Sequence, residues 1–572
     1  MVGGSATILE QYPAVPDLGS TLALGSSSIR EDRSMAISRR RFIGNSTAAM
    51  VGASLMTTLG TKAFAQSQDT LRLAFAARGV RTIDPAKSIQ GADEWAIIHI
   101  HDLLVELPLG HFPDNISEVQ PSLAESWTMS PNAKVWTFQL RKGVQFHKGY
   151  GEMTADDVKF TFDRLRDTKE ISANRVLFDN IADVKTDGPY KVTFTLSQPD
   201  PLFPIGPLSH YSASVISAKA YKEKGKEAIE KDPIGTGPYQ LESVESDPSQ
   251  GVKLKANADY FGGAPNIPNM QVMYIADTTA RTLALLSGDV HMIEGVRSPG
   301  WVPSMQQRNS ALLFDVASPG SFFTIQMNLQ VKPFDDIRVR HAVAYLINRD
   351  EIAAAMSPVS QRTYGINPPS YLGGFTKDSI PEEVRYDYNP EKAKQLLGEA
   401  GFPNGFSFTA DTSQREDYSS VMLIIQQQLR AGGIDMKLNI KDHTAFHADQ
   451  GKGTNTMYQR SAAYPPVPTQ AIIEQLSANA EVKSDGSGGP NFSHYGVAIP
   501  GIDDLLGKAM DEPDLGKRIK LVQEIEVKFL SDMPLLPISD NGYLVVRSPS
   551  VDLGYELKSG YAHWRLTKAK FV

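Results

Sequence analysis

Hydrophobic and polar residues alternate along several short stretches of the chain, a period that predicts half-buried β-strands. One stretch covers residues 136–140 and another covers 190–196. Between them the period changes, because Val158 and Phe162 are spaced as on one face of a helix. Residues 154–157, Thr-Ala-Asp-Asp, have the pattern of a capping box. The sequence therefore predicts a helix that begins near Thr154, between two strands.

The same alternation between helix and strand signals recurs further along the chain. Asn389 can cap a helix with Pro390 in its first turn, and Gly401 can end it. The apolar residues within 393–400 would form its buried face, and residues 434–440 alternate as another strand. Strands and helices are mixed throughout without a short internal repeat. This pattern indicates an α/β fold.

Residues 1–65 have the features of a targeting segment rather than of a folded domain. A basic cluster, Ser-Arg-Arg-Arg-Phe at 38–42, precedes a mild apolar run, and Ala-Phe-Ala follows at 63–65. This order indicates a signal peptide at 35–65, and its Ser-Arg-Arg-x-Phe pattern resembles the twin-arginine export signal. A membrane anchor is the alternative, but polar residues interrupt the apolar run. Residues 1–34 are predicted to be a structureless extension, and Met35 is an alternative start.

Composition and charge narrow the class of protein. The chain has 572 residues, which is too long for one hydrophobic core, so two or three lobes are expected. It contains no cysteine, which excludes a disulfide, a thiolate nucleophile and a lipid-anchored N-terminal cysteine. The formal charge is −8, and without residues 1–65 the chain keeps 51 basic against 61 acidic residues. Nucleic acid is therefore not an expected partner.

Short motifs follow one another in a fixed order from about residue 70 to the end of the chain. They are L-A-E-S-W at 123–127, W-T-F-Q-L-R-K-G-V-Q-F-H at 136–147, T-A-D-D-V at 154–158, I-G-T-G-P-Y at 234–239, N-A-D-Y-F-G-G at 257–263, L-S-G-D at 286–289, F-D-D-I-R-V-R-H-A at 334–342, N-R-D at 348–350, Y-N-P-E-K-A at 388–393 and P-L-L-P at 534–537. In this order they resemble the family 5 extracellular solute-binding proteins, which are the peptide-, nickel- and opine-binding components of ABC importers.

Each motif also has a structural interpretation. Gly235 and Gly237 predict a tight turn that Pro238 makes rigid. Arg338 and Arg340 are predicted to form ion pairs on a helix surface. The motifs therefore characterise the scaffold and say little about the ligand.

The resemblance implies a two-lobed α/β fold of the periplasmic-binding-protein type with an extra inserted domain (cluster C) and a two-strand hinge. The implied divisions are lobe I at 70–98, 233–316 and 537–572, the inserted domain at 99–232, lobe III at 317–536, and hinges at 317–320 and 537–540. A ligand held between the lobes would stabilise a closed form. The implied protein is a periplasmic monomer without a cofactor that delivers its ligand to a permease and its ATPase subunits.

The resemblance also implies where the ligand lies. The cleft would be lined from segments 82–85, 209–212, 322–328, 362–364 and 459–464. The candidate ligand-binding residues in these segments are Asp84, Tyr211, Asn328, Arg362, Tyr364, Arg460, Ser461 and Tyr464.

One position departs from the pattern of peptide-binding members, which commonly use an aspartate to hold the peptide α-ammonium. The matching position here is Ala463, with Arg460 close by. A charge-assisted hydrogen bond contributes roughly 1.5–3 kcal/mol, so this change is large enough to alter the ligand. We expect a ligand with an anionic or blocked group near Arg460, as in an opine or a modified peptide. The alternative is that Arg460 pairs with a carboxylate of the protein itself.

Other functions are open at this stage. We find no nucleophile elbow, no H-E-x-x-H and no phosphate-binding loop, so an enzyme is not expected and no catalytic residues are assigned. His443 and His447 are spaced as on one helix face, and His99, His101 or His210 could join a nickel or metallophore site. No metal ligands are assigned from this pattern. A sensory or chaperone role for the binding protein is a further alternative.

Overall fold

The fold is described from a computed structural model over residues 69–170, 172, 174–485 and 488–572. The predicted extension and signal peptide, residues 1–65, lie outside the described part of the chain. Within the described residues, every helix is too short or too polar to cross a membrane.

Strands and helices alternate from one end of the described chain to the other. The strands are β1 (Thr70–Phe75), β2 (Val105–Glu106), β3 (Gln120–Pro121), β4 (Ala124–Met129), β5 (Val135–Leu140), β6 (Gln145–Phe146), β7 (Gly151–Glu152), β8 (Ile181–Thr186), β9 (Lys191–Leu196), β10 (Tyr239–Val244), β11 (Val252–Ala256), β12 (Asn269–Tyr274), β13 (Met292–Glu294), β14 (Leu313–Met327), β15 (Ser360–Arg362), β16 (Phe406–Ser413), β17 (Ile434–Lys441), β18 (Met457–Ala462), β19 (Leu535–Arg547), β20 (Val551–Asp552) and β21 (Lys570–Phe571). The helices are α1 (Gly91–Ile100), α2 (Ala155–Arg166), α3 (Ala218–Lys224), α4 (Lys226–Ile229), α5 (Thr278–Ser287), α6 (Trp301–Arg308), α7 (Ile337–Leu346), α8 (Arg349–Ala355), α9 (Pro390–Glu399), α10 (Glu416–Ala431), α11 (His443–Gln450), α12 (Gln470–Leu476), α13 (Ile502–Asp511) and α14 (Leu515–Asp532).

One large mixed sheet extends through both lobes. Its strand order is β10-β11-β12-β1-β13-β19-β14-β18, and β15 pairs with β19 beside this path. The central strand β1 is parallel to β12 and β13, whereas β14 and β19 are antiparallel to each other. A separate antiparallel sheet, β4-β5-β9-β8, belongs to the inserted segment.

Most of the buried apolar side chains fall into three large clusters, and a smaller fourth cluster surrounds α5, α6 and β13. The first surrounds β14, β18, α7, α10 and α14, the second surrounds β5, β9 and α2, and the third surrounds β1 and α1. Trp95 of α1 is fully buried in the third cluster and stacks on Phe75 at 4.9 Å between ring centroids. We keep the names lobe III, inserted domain and lobe I for the parts of the chain around these three clusters, in that order.

The elements predicted from local patterns are confirmed. β5, β9 and α2 occupy the expected positions, and Thr154 and Asp157 form the capping box. Helix α9 begins at Pro390 with the side chain of Asn389 as its cap. Strand β17 is also present, although the alternation there is incomplete, because Ile440 is 53% exposed at its end.

Two structural interpretations of the motifs need correction. Gly235 and Gly237 have ordinary negative φ angles. A Cβ on Gly235 would lie 2.0 Å from the carbonyl oxygen of Ile100, and a Cβ on Gly237 would lie 2.6 Å from that of His99. These glycines therefore allow close approach to the end of α1 rather than a left-handed turn. Arg338 forms the expected ion pair on the helix surface. Arg340 is instead buried, and its guanidinium donates hydrogen bonds to three backbone carbonyls.

Candidate ligand-binding site

Two long strands join lobe I to lobe III. β14 and β19 pair from Leu313 opposite Arg547 to Gln326 opposite Leu535, and the register shifts between Ala317 and Ser321. Gly320 lies in this irregular stretch, where a Cβ would come within 2.4 Å of the carbonyl oxygen of Asn541. The two strands therefore approach closely where their ladder is interrupted, and such an interruption is where a two-strand hinge can bend.

Lobe I contains a buried polar group at the start of α1. Glu94 lies in the first turn of α1, and its Oε2 is 3.1 Å from Nδ1 of His563. Burial by itself raises the pKa of Glu94, but the interactions with His563, His210 and Tyr211 together outweigh it, and the net pKa lies below the usual value. Burial lowers the pKa of His210 to about 4. Glu94 is thus a carboxylate at neutral pH.

The lobe III side presents aromatic rings. Phe322 of β14 lies 5.5 Å from the ring of Tyr371 and 5.3 Å from that of Tyr464. Tyr371 donates its hydroxyl hydrogen to the carbonyl of Tyr464 over 2.6 Å. Phe112 of the inserted domain packs edge-on against Tyr371 at 5.7 Å and against Tyr561 of the C-terminal segment at 5.2 Å. The lobes are therefore in contact through these aromatic side chains.

Basic side chains cluster nearby on lobe III. Arg415 forms an ion pair with Asp417 at 2.8 Å. The rings of His443 and His447 on α11 are 4.5 Å apart, and burial lowers the pKa of His447, with smaller contributions from His443, Arg460 and Arg415. Glu294 of lobe I is close enough to Arg415 to contribute, after burial and Asp417, to the pKa of that guanidinium, which is raised overall. The two lobes therefore approach each other with charges of both signs.

Four of the predicted site residues lie beside these contacts between the lobes, and their roles in ligand binding stay predictions. Arg460 and Ser461 are on β18, and Tyr464 follows directly. Arg460 is 3.5 Å from Glu474, and its Nε has no hydrogen-bond partner in the protein. This loose pair is the alternative that the sequence left open for Arg460. Tyr211, on the opposite side, packs against the ring of His563 at 5.6 Å.

The other four predicted residues are engaged in contacts within the protein. Asp84 is buried and binds Arg164 of α2 with both carboxylate oxygens. Asn328 is buried and hydrogen-bonds the loop at Asn455 and Gln330. Arg362 forms ion pairs with Asp350 and Asp387 and covers the ring of Tyr364. Their roles in ligand binding remain predictions, and each has a structural role that accounts for its position.

Sequence reasoning did not identify several residues of these contacts. Glu94 and His563 meet across almost the whole chain, and neither belongs to a motif. Glu94 has the ordinary signature of an acidic residue in a first helical turn. Tyr371, Phe112 and Tyr561 are aromatic residues in irregular segments, where no period indicates which way they face. A contact between such distant segments has no local signal.

The histidines that could have formed a metal site are dispersed or engaged. No group of three or more potential metal-ligating side chains occurs within residues 69–170, 172, 174–485 and 488–572. His99 uses both ring nitrogens on the backbone of Trp95 and Leu566. His443 contacts the hydroxyl of Ser413 at 2.9 Å.

The fold and the cleft together define a two-lobed ligand-binding protein, in which polar and aromatic side chains from both lobes meet beside a two-strand hinge. The chain belongs to the bacterial extracellular solute-binding proteins, family 5, whose sequence profile for the middle region matches residues 118–484.

Relatives in this family carry names of binding proteins. The chain is 33% identical over 334 residues to the dipeptide-binding protein of Escherichia coli K12, a match that covers 54% of this chain and 59% of the relative. It is 32% identical over 345 residues to the glutathione-binding protein GsiB of Shigella flexneri, a match that covers 59% of this chain and 65% of the relative. The chain thus spans about three fifths of the length of these relatives.

A solved structure matches more of the chain. The binding protein MoaA of Agrobacterium tumefaciens R10, solved in complex with mannopinic acid, has a TM-score of 0.71 and 30% identity. The match covers 88% of this chain and 100% of that one. The whole described fold is therefore that of a two-lobed periplasmic binding protein.

Proposed function

We propose that this chain is the solute-binding component of a bacterial ABC importer, exported to the periplasm and working with a membrane permease and its ATPase subunits. The observation that carries the proposal is that aromatic side chains of both lobes meet beside the long paired strands β14 and β19 in a fold matched over 88% of this chain by a two-lobed binding protein. The twin-arginine route of export belongs to the proposal and is supported by Ser-Arg-Arg-Arg-Phe at 38–42.

In this function the protein traps its ligand by closing. A ligand between the lobes contacts both walls only in the closed form, so binding shifts the population toward that form. The irregular register of β14 between Ala317 and Ser321 supplies a segment that can change its backbone angles while the ladder on either side stays paired. No covalent step is required.

We propose a ligand that carries both an acidic group and an amine, such as an opine. Glu94 on the lobe I wall suits an ammonium or a secondary amine, because its lowered pKa keeps it charged. The pair of Arg460 with Glu474 is loose, at 3.5 Å, and the Arg460 side chain keeps 23% exposure, which supports this guanidinium as the partner of an acidic group. The 30% identity to a protein solved with mannopinic acid supports the same class.

A thermal-unfolding screen of the exported form tests this function. Mannopinic acid, a free dipeptide and glutathione would each be added in excess, because a ligand at about 100 times its Kd stabilises the folded state by about 2.7 kcal/mol. We expect mannopinic acid or a closely related acid to raise the Tm. Robust stabilisation by the dipeptide alone would overturn the ligand class, and no stabilisation by any of them would count against a binding function for these solutes.

Arg460→Gln tests the proposed contact with the acidic group. Loss of one charge-assisted hydrogen bond should weaken binding of the acidic ligand by about 10- to 100-fold, measured by calorimetry. Arg430→Gln is the matched control, because Arg430 is 64% exposed in a loose pair with Asp435. Equal affinities for the Arg460 variant and the control would show that Arg460 serves only its pair with Glu474.

A further inference from the structure

A cavity of about 210 Å³ lies where the inserted domain meets lobe I. Its wall residues fall within 106–109, 121–122 and 141 of the inserted domain and within 260–262 and 565–568 of lobe I. None of them takes part in the contacts between lobes I and III described above. The cavity is therefore built from other residues than the cleft, and a molecule in it would contact both the inserted domain and lobe I.

Arg141 is fixed in the wall of this cavity by two contacts. Its guanidinium carbon lies 5.3 Å from the ring centre of Phe261, and its Nε donates a hydrogen bond to the carbonyl of Ser122 over 3.1 Å. Its two terminal nitrogens make no hydrogen bond or ion pair with the residues that the structure describes. A planar guanidinium with free terminal N–H groups can bind two oxygens of an anion at once, and its fixed orientation reduces the entropy lost on binding.

A second cation lines the same cavity. Lys568 lies on the C-terminal segment and is exposed. Among the described residues, no carboxylate lies within ion-pair distance of its ammonium group. Arg141 and Lys568 therefore bring two positive charges without protein counter-ions to one cavity, from two distant parts of the chain.

The negative charges near the cavity are largely balanced. Among the described residues that line it, Glu106 is the only one with a carboxylate. Its Oε1 accepts a hydrogen bond from Ser122 over 3.1 Å and lies 3.2 Å from the guanidinium of Arg565. Arg565 is also 2.7 Å from the buried Asp102. These three ionised groups sum to one negative charge, against the two positive charges of the unpaired cations. The cavity therefore favours an anion over a cation.

The positions of the donors also select among anions. A carboxylate has two oxygens in one plane, which Arg141 alone would satisfy. A tetrahedral oxyanion such as phosphate has oxygens on several sides, so it can contact Arg141 and Lys568 together. Its higher charge also gains more from two cations than a single negative charge does. A phosphate group is therefore the ligand that this wall fits best.

We propose that this cavity is a second binding site, separate from the cleft, for a tetrahedral oxyanion held between Arg141 and Lys568. The anion is a free phosphate or the phosphate group of a small phosphomonoester. The site does not depend on the proposed transport function, because none of its residues comes from lobe III.

Calorimetry on the full chain with inorganic phosphate tests the proposal. We expect saturable binding of one phosphate per chain, and weaker binding of acetate, which has fewer oxygens and a lower charge. Arg141→Gln should weaken phosphate binding by about 10- to 100-fold, because charge-assisted hydrogen bonds are lost. Arg308→Gln is the matched control, since Arg308 is exposed in the last turn of α6 and its replacement removes the same charge elsewhere. No saturable phosphate binding, acetate bound as tightly as phosphate, or equal weakening by the two variants would overturn the proposal.

Lys568→Gln provides a second test that leaves the packing of Arg141 on Phe261 in place. Because Lys568 is exposed, its loss should weaken phosphate binding by only about 2- to 5-fold. Crystals soaked in phosphate should show the anion between Arg141 and Lys568. Wild-type affinity in the Lys568 variant, or phosphate density only in the cleft between the lobes, would contradict this site. Weakening by Arg460→Gln without weakening by Arg141→Gln would likewise place the anion in the cleft.

Glycerol 3-phosphate distinguishes the two sources of the phosphate group. Tighter binding than that of inorganic phosphate would identify a phosphomonoester as the ligand, whereas equal or weaker binding would identify free phosphate. In both cases Arg141→Gln should reduce the affinity for the tighter ligand. An affinity that Arg141→Gln leaves unchanged would overturn the site.

Discussion

Asp540 is a buried carboxyl group in the hinge. It is fully buried on β19, and Ser318 and Gln361 donate hydrogen bonds to its Oδ2 over 2.5 and 2.9 Å. Burial raises the pKa of Asp540 to about 6, although these hydrogen bonds lower it. The side chain therefore links β14, β15 and β19 in a place where its charged form is unfavourable.

This placement predicts a specific dependence of stability on pH. Between about pH 4 and pH 6 the folded protein keeps a proton on Asp540, whereas the unfolded chain has released it. The free energy of unfolding therefore decreases as the pH rises over this range, and the contribution of Asp540 is lost above about pH 6. A shift of roughly two pKa units corresponds to about 3 kcal/mol. In urea unfolding, the free energy of unfolding of Asp540→Asn should therefore increase by up to about 3 kcal/mol relative to that of the wild type as the pH rises from 4 to 7.

Asp378→Asn, at an exposed position, is the control for this measurement. Its difference from wild type should stay constant over the same pH range. A constant difference for Asp540→Asn as well would contradict the buried placement of this carboxyl group.

Single residues also show how far the sequence alone could predict the site. Arg460, Ser461 and Tyr464 are predicted together because they belong to one short segment that the resemblance identifies, and their roles in ligand binding stay predictions. Glu94 and His563 were missed because their contact joins the two ends of the fold. Asp84 was noticed for its loop, but a carboxylate bound to Arg164 cannot be distinguished by sequence from one that faces a ligand.

At the scale of elements, the pair of Asp84 and Arg164 fastens α2 of the inserted domain to the loop after β1. Both side chains are almost fully buried, and the contact is bidentate. Removing one partner of a buried ion pair leaves an uncompensated charge and typically costs about 3–5 kcal/mol. We expect Arg164→Leu to lower the free energy of unfolding by this amount in urea.

Arg175→Leu is the matched control, because Arg175 is 39% exposed in a pair with Asp179. This substitution should lower the free energy of unfolding by less than about 1 kcal/mol. If the two variants lost similar stability, the pair of Asp84 and Arg164 would not be the buried link described here.

Elements were predictable where the signal was local. Polar and apolar residues alternate along strands β5 and β9. Helices α2 and α9 have a recognisable cap at their first turn. β14 has no such signal, because Pro319 and Gly320 interrupt it, and these residues usually end a strand. β14 continues past Pro319 and Gly320 because its pairing with β19 resumes after a register shift, a long-range contact without a local signal.

At the scale of the whole molecule, one mixed sheet continues through the hinge while the hydrophobic cores stay separate. β14 and β19 are shared by both lobes, whereas the cluster around α10 and α14 is distinct from the one around α1. Separate cores allow each lobe to stay rigid while the angle between them changes. The contact through Phe112 and Tyr371 is then a contact that opening would separate.

Small-angle X-ray scattering of the exported form, with and without the acid that gives the largest thermal stabilisation, tests the trapping of a ligand most directly. Closure around a ligand predicts a smaller radius of gyration and a shorter maximum dimension when the protein is saturated. Superimposable curves with and without a bound ligand would contradict hinge closure.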